Sequence, residues 1–466
     1  MIQKAPRWHK KCSKWGRQIT MTNLLFSHEK LLHERFLQTD LGRLYVAIPF
    51  EQLAGQIPAQ KQKLSGRGCK PWFDIKGAIG LLVLKHYTNL SDEMLIERIN
   101  TDWSMQMFCG ILLKPGEVIQ DRNLPSRWRG YIGHRLNIDK LQKELVAHWK
   151  PWMSEVNISS EDATCYESRI AWPTDIKLLW QSCNHIYLLY QHYRKQYKQR
   201  ISRINYGKYK KLFLAYQRRK KKAKKQEKAL RKKLLKFLYR LLVLGIGLRR
   251  KYSIGLTNKE KRMVQTIISL YNQQHEKAYG DKNKPIKNRI VSLWKPYIRP
   301  IVRGKEVKPV EFGAKVNKLQ VDGISFIQHF SYDAFNEGTQ LKNTLEQHRE
   351  LFKQPCTHHS ADAIYATNNN RKYCTENTIV TNFVPKGKQK EQHIEQSKIM
   401  RAALNKQRGT VLEGSFGNEK NHYLLAKVNA RNEYTEKCWI FFGILTANAS
   451  IISQRMAATQ AKARAA

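Results

Sequence analysis

Three observations predict an α/β domain with a long basic helical insertion, preceded by an all-α N-terminal domain. Apolar residues recur at helical spacing from about Leu24 to Asp139. Short β-compatible segments surround Asp162, flank Asp322-Gly323 and return at Thr378–Thr381. Between the first two of these, from about Asp175 to Gln274, the chain reads as helical and very basic.

The N-terminal part is justified by its periodicity. Ile79, Leu82, Val83, Lys85 and His86 fall in one amphipathic run. Ser91 is placed to cap the next helix, with Asp92 and Glu93 in its first turn, where the helix dipole favours acids. Met94, Leu95, Ile99, Met105 and Phe108 then read as a buried stripe. In the basic stretch, Ile186, Tyr190, Tyr193, Tyr197, Ile201 and Ile204 recur at steps of three and four, which reads as helix packing rather than base stacking. The run Arg218, Arg219, Lys220, Lys221, Lys222, Lys224 and Lys225, followed by apolar Leu234, Leu235, Leu238 and Leu241, predicts a long antiparallel helical pair with a phosphate-tracking Lys/Arg face. Strands are predicted at Val307–Leu319 and Ile324–Phe330, joined by the Asp322-Gly323 hairpin turn. A helix from about Thr339 to Phe352 follows. From about Glu391 the pattern is helical again and contains Glu413; the last periodic stretch, Glu436–Met456, reads as a buried helix capped by Thr435 and followed by a frayed tail.

Charge narrows the function classes. The 466 residues hold 84 Lys+Arg against 37 Asp+Glu, a formal net charge of +47, while 41% are hydrophobic. That apolar content excludes a disordered basic tail. A folded chain so far from neutrality repels itself and calls for a polyanion, with nucleic acid ahead of an anionic membrane or an acidic protein. The eight cysteines form no CxxC pair, so a zinc ribbon or disulfide framework is unsupported and reduced thiols in a cytoplasm are expected. Cys356, His358, His359 and Cys374 cluster, but their spacing matches no common zinc pattern. The first twenty residues lack the apolar core of a signal peptide, and Leu241–Leu248 is too short to span a bilayer. Met21 is an alternative start.

In so basic a chain the acids of the α/β part invite scrutiny. Strand, hairpin, helix, strand, helix is the build of a ribonuclease-H-like domain, which places carboxylates on a first strand, a later strand and a helix. Clustered carboxylates raise one another's pKa and persist when divalent ions neutralise them. Asp162, Asp362 and Glu413 fill those places. Asp175, Asp322 and Asp333 read as a cap, a turn and a loop residue.

The residues around these acids resemble blocks of DDE-type insertion-sequence transposases. Asp162-Ala-Thr followed by Trp172-Pro-Thr-Asp175 resembles the first-aspartate block. Glu311–Val316 and Phe335-Asn-Glu-Gly338 are similar to the hairpin block and its exit, and Ala361–Arg371 to the second-aspartate block. Leu412–Lys420 resembles the terminal glutamate block, with a lysine seven residues after Glu413. Leu90–Ile99 is similar to the helical domain preceding such cores. The family often carries an arginine four residues before the glutamate; here that place is Gly409, and Arg408 is one position off. Ser159, Ser160 and Glu161 are also less apolar than a buried central strand would suggest.

The resemblance implies a ribonuclease-H-like catalytic domain at 151–450 with an insertion at about 176–300. A helical DNA-binding domain at 23–150, a basic extension at 1–22 and a tail at 451–466 complete the division. It implies Asp162, Asp362 and Glu413 as catalytic ligands of two Mg²⁺ or Mn²⁺ ions, with Lys420 and Arg371 orienting DNA phosphates. The expected partners are double-stranded DNA, at both transposon ends and target, and a second copy of the chain; no membrane partner is expected. A bacterial, nucleoid-associated location follows. Helical spacing puts Lys420 on the face of Glu413 and turns Glu419 roughly 120° away. Gly414 and Gly417 would let a DNA backbone approach. A metal-dependent nuclease without strand transfer and a catalytically inactive DNA-binding remnant remain alternatives.

Overall fold

A computed structural model describes residues 23–58, 71–200, 202–281, 285–302, 309–387 and 391–465. The expected extension at 1–22, Met21, Ile201, Val307, Cys12 and Cys69 lie outside them. The N-terminal helices are α1 (Asn23–Leu37), α2 (Asp40–Val46), α3 (Phe50–Gly55), α4 (Ile75–Thr88), α5 (Asp92–Thr101), α6 (Trp103–Phe108), α7 (Leu124–Gly133) and α8 (Ile138–Trp149). Ser91 caps α5 by accepting from the Met94 amide, as its sequence predicts. Two expectations here need correction. Helix α4 is buried all round, Lys85 and His86 included, because Lys85 reaches Asp92 and His86 meets the Tyr423 carbonyl. Met94 is 51% exposed, since α5 buries Leu95, Ile96 and Ile99 instead.

The sheet begins with β1 (Ile158–Glu167), continues with β2 (Pro300–Val302), β3 (Val310–Val321) and β4 (Ile324–Ser331), and ends with β5 (His358–Ala361) and β6 (Val380–Thr381). Among the described residues, β3 lies between β1 on one edge and both β2 and β4 on the other, and β5 and β6 extend the sheet beyond β1. The β1–β3 and β3–β4 pairs are antiparallel, whereas β5 runs parallel to β1 and β6 parallel to β5. The β3–β4 hairpin turns on Asp322 and Gly323, both at positive φ (47° and 75°), the backbone that a tight two-residue turn demands. Arg455 fixes that turn by donating to the Asp322 carboxylate at 2.8 Å.

Between β1 and β2 the chain leaves the sheet as α9 (Asp175–Gln196), α10 (Tyr206–Gln217), α11 (Lys224–Lys251) and α12 (Asn258–Tyr279). They share a separate apolar core of Leu179, Ile186, Leu234, Leu238, Leu241, Ile267 and neighbours. The aromatic stripe packs there as expected, although α9 ends at Gln196, so Ile204 joins from the following loop. Arg218–Lys222 do not lie on a helix face: they form the exposed turn between α10 and α11, and Lys224 and Lys225 begin α11. Thr174 is the cap of α9, and Asp175 is a hub rather than a cap. Its buried carboxylate meets Arg231 of α11 at 3.0 Å, Lys277 of α12 at 2.5 Å and Arg289 of the returning chain at 3.2 Å.

After β4 come α13 (Leu341–Phe352), α14 (Asn368–Glu376), α15 (Glu391–Gln407), α16 (Glu413–His422) and α17 (Glu433–Ala465). Helix α17 is capped by Asn432, which accepts from the Thr435 amide, so Thr435 is inside the helix. The segment expected to fray continues α17 to Ala465. Phe442, Leu445, Ala449 and Ile452 of α17 share one apolar core with N-terminal helices and with the sheet.

Candidate active site

Side chains alternate along a strand, and β1 uses both faces. Asp162, Thr164 and Tyr166 face α16, where Lys420 donates to Thr164 at 2.9 Å and Tyr166 donates to Glu419. Glu161 faces the other way and accepts from Asn317 at 2.6 Å and from Thr344 of α13 at 2.5 Å. The parallel register pairs Glu161 with Ala361, so Asp162 and Asp362 follow side by side where β1 and β5 leave their pairing. Asp362 is exposed and accepts from the Ala363 amide at 2.7 Å, capping the 3-10 turn Ala363–Tyr365. Capping and siting are therefore compatible at this residue.

A third acid arrives through a local irregularity. The helix preceding Glu413 contains a π-helical turn at Arg408–Leu412. At 100° per residue, an α-helix would set residues five apart about 140° from each other. The π turn, with its i→i+5 bonding, returns them to one side. Arg408 Nη1 accordingly lies 3.0 Å from Glu413 Oε1 and 3.4 Å from Asp162 Oδ2. The one-place displacement of the arginine in the sequence is absorbed by one extra residue in the turn.

Glu337 is a fourth carboxylate, and the sequence reading gave it no role. It sits in the 3-10 turn Glu337–Thr339 and pairs with Lys315 of β3 at 2.8 Å. This turn packs on the one after Asp362 so closely that a Cβ on Gly338 would meet the Ile364 carbonyl oxygen at 2.6 Å. Burial pushes the Asp162 carboxyl up to about 6; the Ala163 amide and Arg408 oppose the rise, while Glu337 and Asp362 add to it. Arg408 is the positive partner that Asp162 and Glu413 share.

Below the site, Lys318 stands opposite Asp162 in the β1–β3 register but turns to α16. It is fully buried and meets Glu419 at 2.6 Å and Ser415 at 3.1 Å. Burial lowers the Lys318 pKa, against the pull of Glu419 and Asp162. Glu419 does point away from Glu413, into the sheet rather than into solvent. Gly414 and Gly417 face open space, with no atom within 4 Å of where a Cβ would stand.

Other sequence-predicted residues lie apart from this group. Arg371 donates to the Ala366 carbonyl at 3.1 Å and stacks on Phe383, bracing the turn after Asp362. Arg218, Arg219, Lys220, Lys221, Lys222, Lys224 and Lys225 are exposed on the insertion. Cys356 and His359 serve the sheet: both contact the Ser159 hydroxyl, at 3.1 and 2.8 Å. The six described cysteines are buried and form no disulfide.

Asp162, Asp362 and Glu413 offer the hard oxygen donors that Mg²⁺ takes, so the donor chemistry fits a divalent ion. Among the described residues, however, no three acidic, His or Cys side chains are gathered closely enough to hold one as they stand. Arg408 bridges two of the three. No described helix is long and apolar enough to cross a membrane.

Comparison with known proteins gives one match. No curated protein and no solved structure matches the chain significantly. Residues 23–130 match the family model described as Transposase domain (DUF772).

Proposed function

We propose that this protein is a DDE-type transposase whose ribonuclease-H-like domain cuts DNA at the ends of an insertion sequence and joins them to a target. The observation that carries the reading is the parallel register of β1 and β5, whose last pair, Glu161 and Ala361, immediately precedes Asp162 and Asp362, with Glu413 linked to Asp162 through Arg408. A three-stranded antiparallel meander extended by two parallel strands supports the fold assignment. The transposase-domain match over residues 23–130 supports the reaction class independently of these acids.

In this reading Asp162, Asp362 and Glu413 hold two Mg²⁺ or Mn²⁺ ions. When bound, such ions activate an attacking oxygen and stabilise the leaving one in phosphoryl transfer. The chain's own part is positioning and charge. Lys420, beside Thr164 on the face of Asp162, meets a flanking phosphate. The exposed Arg218–Lys222 turn, with Lys224 and Lys225 at the start of α11, tracks DNA backbone away from the site, and two copies act together at paired ends.

The test is a Mg²⁺-dependent cleavage and strand-transfer assay on DNA bearing the element's ends. Wild type should cleave and join, and Asp362→Ala should do neither while still binding DNA. Cleavage without joining would favour a nuclease, and binding without reaction an inactive remnant. Activity untouched by Asp362→Ala would overturn the triad.

A further inference from the structure

We infer that Arg408 is a tethered cation that closes the candidate site, competing with a divalent ion for Asp162 and Glu413. This rests on the reading of Asp162, Asp362 and Glu413 as metal-holding groups. One guanidinium nitrogen reaches both carboxylates, at 3.4 and 3.0 Å. Charge-assisted hydrogen bonds of this kind settle at about 2.7–2.9 Å, so the contact to Asp162 is long while that to Glu413 is close to ordinary. Arg408 Nε is buried and has no acceptor among the described residues, leaving that edge of the guanidinium unsatisfied.

The cations around it have close partners of their own. Lys318 pairs with Glu419, Lys315 with Glu337, and Lys420 bonds Thr164. Arg408 lies within ion-pair distance of both Asp162 and Glu413. The backbone gives it a way out. Arg408 opens the π turn, and Gly409 beside it has open space around its Cα. Relaxing a π turn to an α turn swings the residues before it by roughly 100° about the helix axis. That rotation would carry the guanidinium off Glu413 and free both carboxylates at once. Arg408 would leave as a divalent ion arrives, so Asp162 and Glu413 keep a positive partner in both states.

The experiment is Mn²⁺ binding to the full chain without DNA, followed by the electron paramagnetic resonance of free Mn²⁺ at fixed pH. Arg408→Gln should bind about tenfold more tightly than wild type, within the usual span of such couplings. Arg408→Lys should stay close to wild type, and Asp162→Asn should remove the site in either background. Equal or weaker binding by Arg408→Gln, with wild-type binding still dependent on Asp162, overturns the inference alone. Absence of Asp162-dependent binding in every variant removes the metal-holding reading and the inference with it. Should Arg408→Gln fail to fold, hydrogen exchange of the 408–413 amides in wild type decides. Mn²⁺ should change their exchange, and unchanged exchange at saturating Mn²⁺ contradicts the displacement.

Discussion

Glu161 and Asp162 are neighbours in sequence but face opposite sides of β1, and the strand's polar composition follows from that division. Ser159, Ser160 and Glu161 suit a buried central strand because each meets a polar partner: His359 at 2.8 Å, Ser360 at 2.8 Å, and the Asn317–Thr344 pair. The sequence alone could not supply those partners, since they lie on β3, β5 and α13. The strand around Asp162 and the short segment leading to Asp362 were legible from their residue types; the approach of Glu337 was not, because it depends on two turns packing through Gly338. His359 offers a test at this scale. Burial alone would lower its pKa, but Cys356 and Glu161 raise it to about 9, with Glu161 at 3.4 Å. A histidine held protonated in the fold contributes stability that is full below its ordinary pKa of 6.5 and is lost as pH rises through about 9. Wild type should therefore lose about 3 kcal/mol between those limits relative to His359→Gln. Chemical denaturation at several pH values would measure it, and parallel pH profiles for the two proteins would contradict it.

Helix α16 carries Glu413 and Lys420, and its seat on the sheet is an ion pair. Lys318 and Glu419 are both buried, and removing one leaves the other uncompensated. Lys318→Ala should cost about 3–5 kcal/mol, whereas the double variant Lys318→Met with Glu419→Leu should cost far less. Thermal or urea unfolding of both variants would show the difference; equal losses would mean the pair does not anchor the helix. The π turn makes a second prediction. Deleting Gly409 places the arginine four residues before the glutamate on a regular α-helix. Stability should hold or rise by about 1 kcal/mol, as expected when a helical glycine is removed. A collapse of the melting transition would show that the π geometry is required for folding. Sequence spacing read this stretch as an ordinary helix because a single inserted residue leaves the apolar pattern nearly unchanged.

At the level of the whole molecule, periodicity separated the helical start, the sheet and the basic insertion. It did not reveal how they join. Core residues at the start of the chain and in α17 pack into the same cluster as the sheet, a long-range association that local patterns do not encode. The Arg218–Lys225 run read as a helix face because it lacks proline, yet unpaired like charges at that density are better accommodated in an exposed turn. If that turn tracks phosphates, changing Lys220, Lys221 and Lys222 to Ser should weaken DNA binding. The slope of log affinity against log salt should also fall, by about 0.9 for each phosphate that is no longer neutralised. An unchanged slope would place DNA on another face. On the proposed reading, acids from distant parts of the chain form one ion-binding site. The most direct test replaces Mg²⁺ with Fe²⁺ and maps where ascorbate and peroxide then cut the polypeptide. Cuts near Asp162, Asp362 and Glu413, all abolished together in Asp162→Asn, are the predicted result; cuts confined to one segment, or unaffected by that substitution, would contradict it.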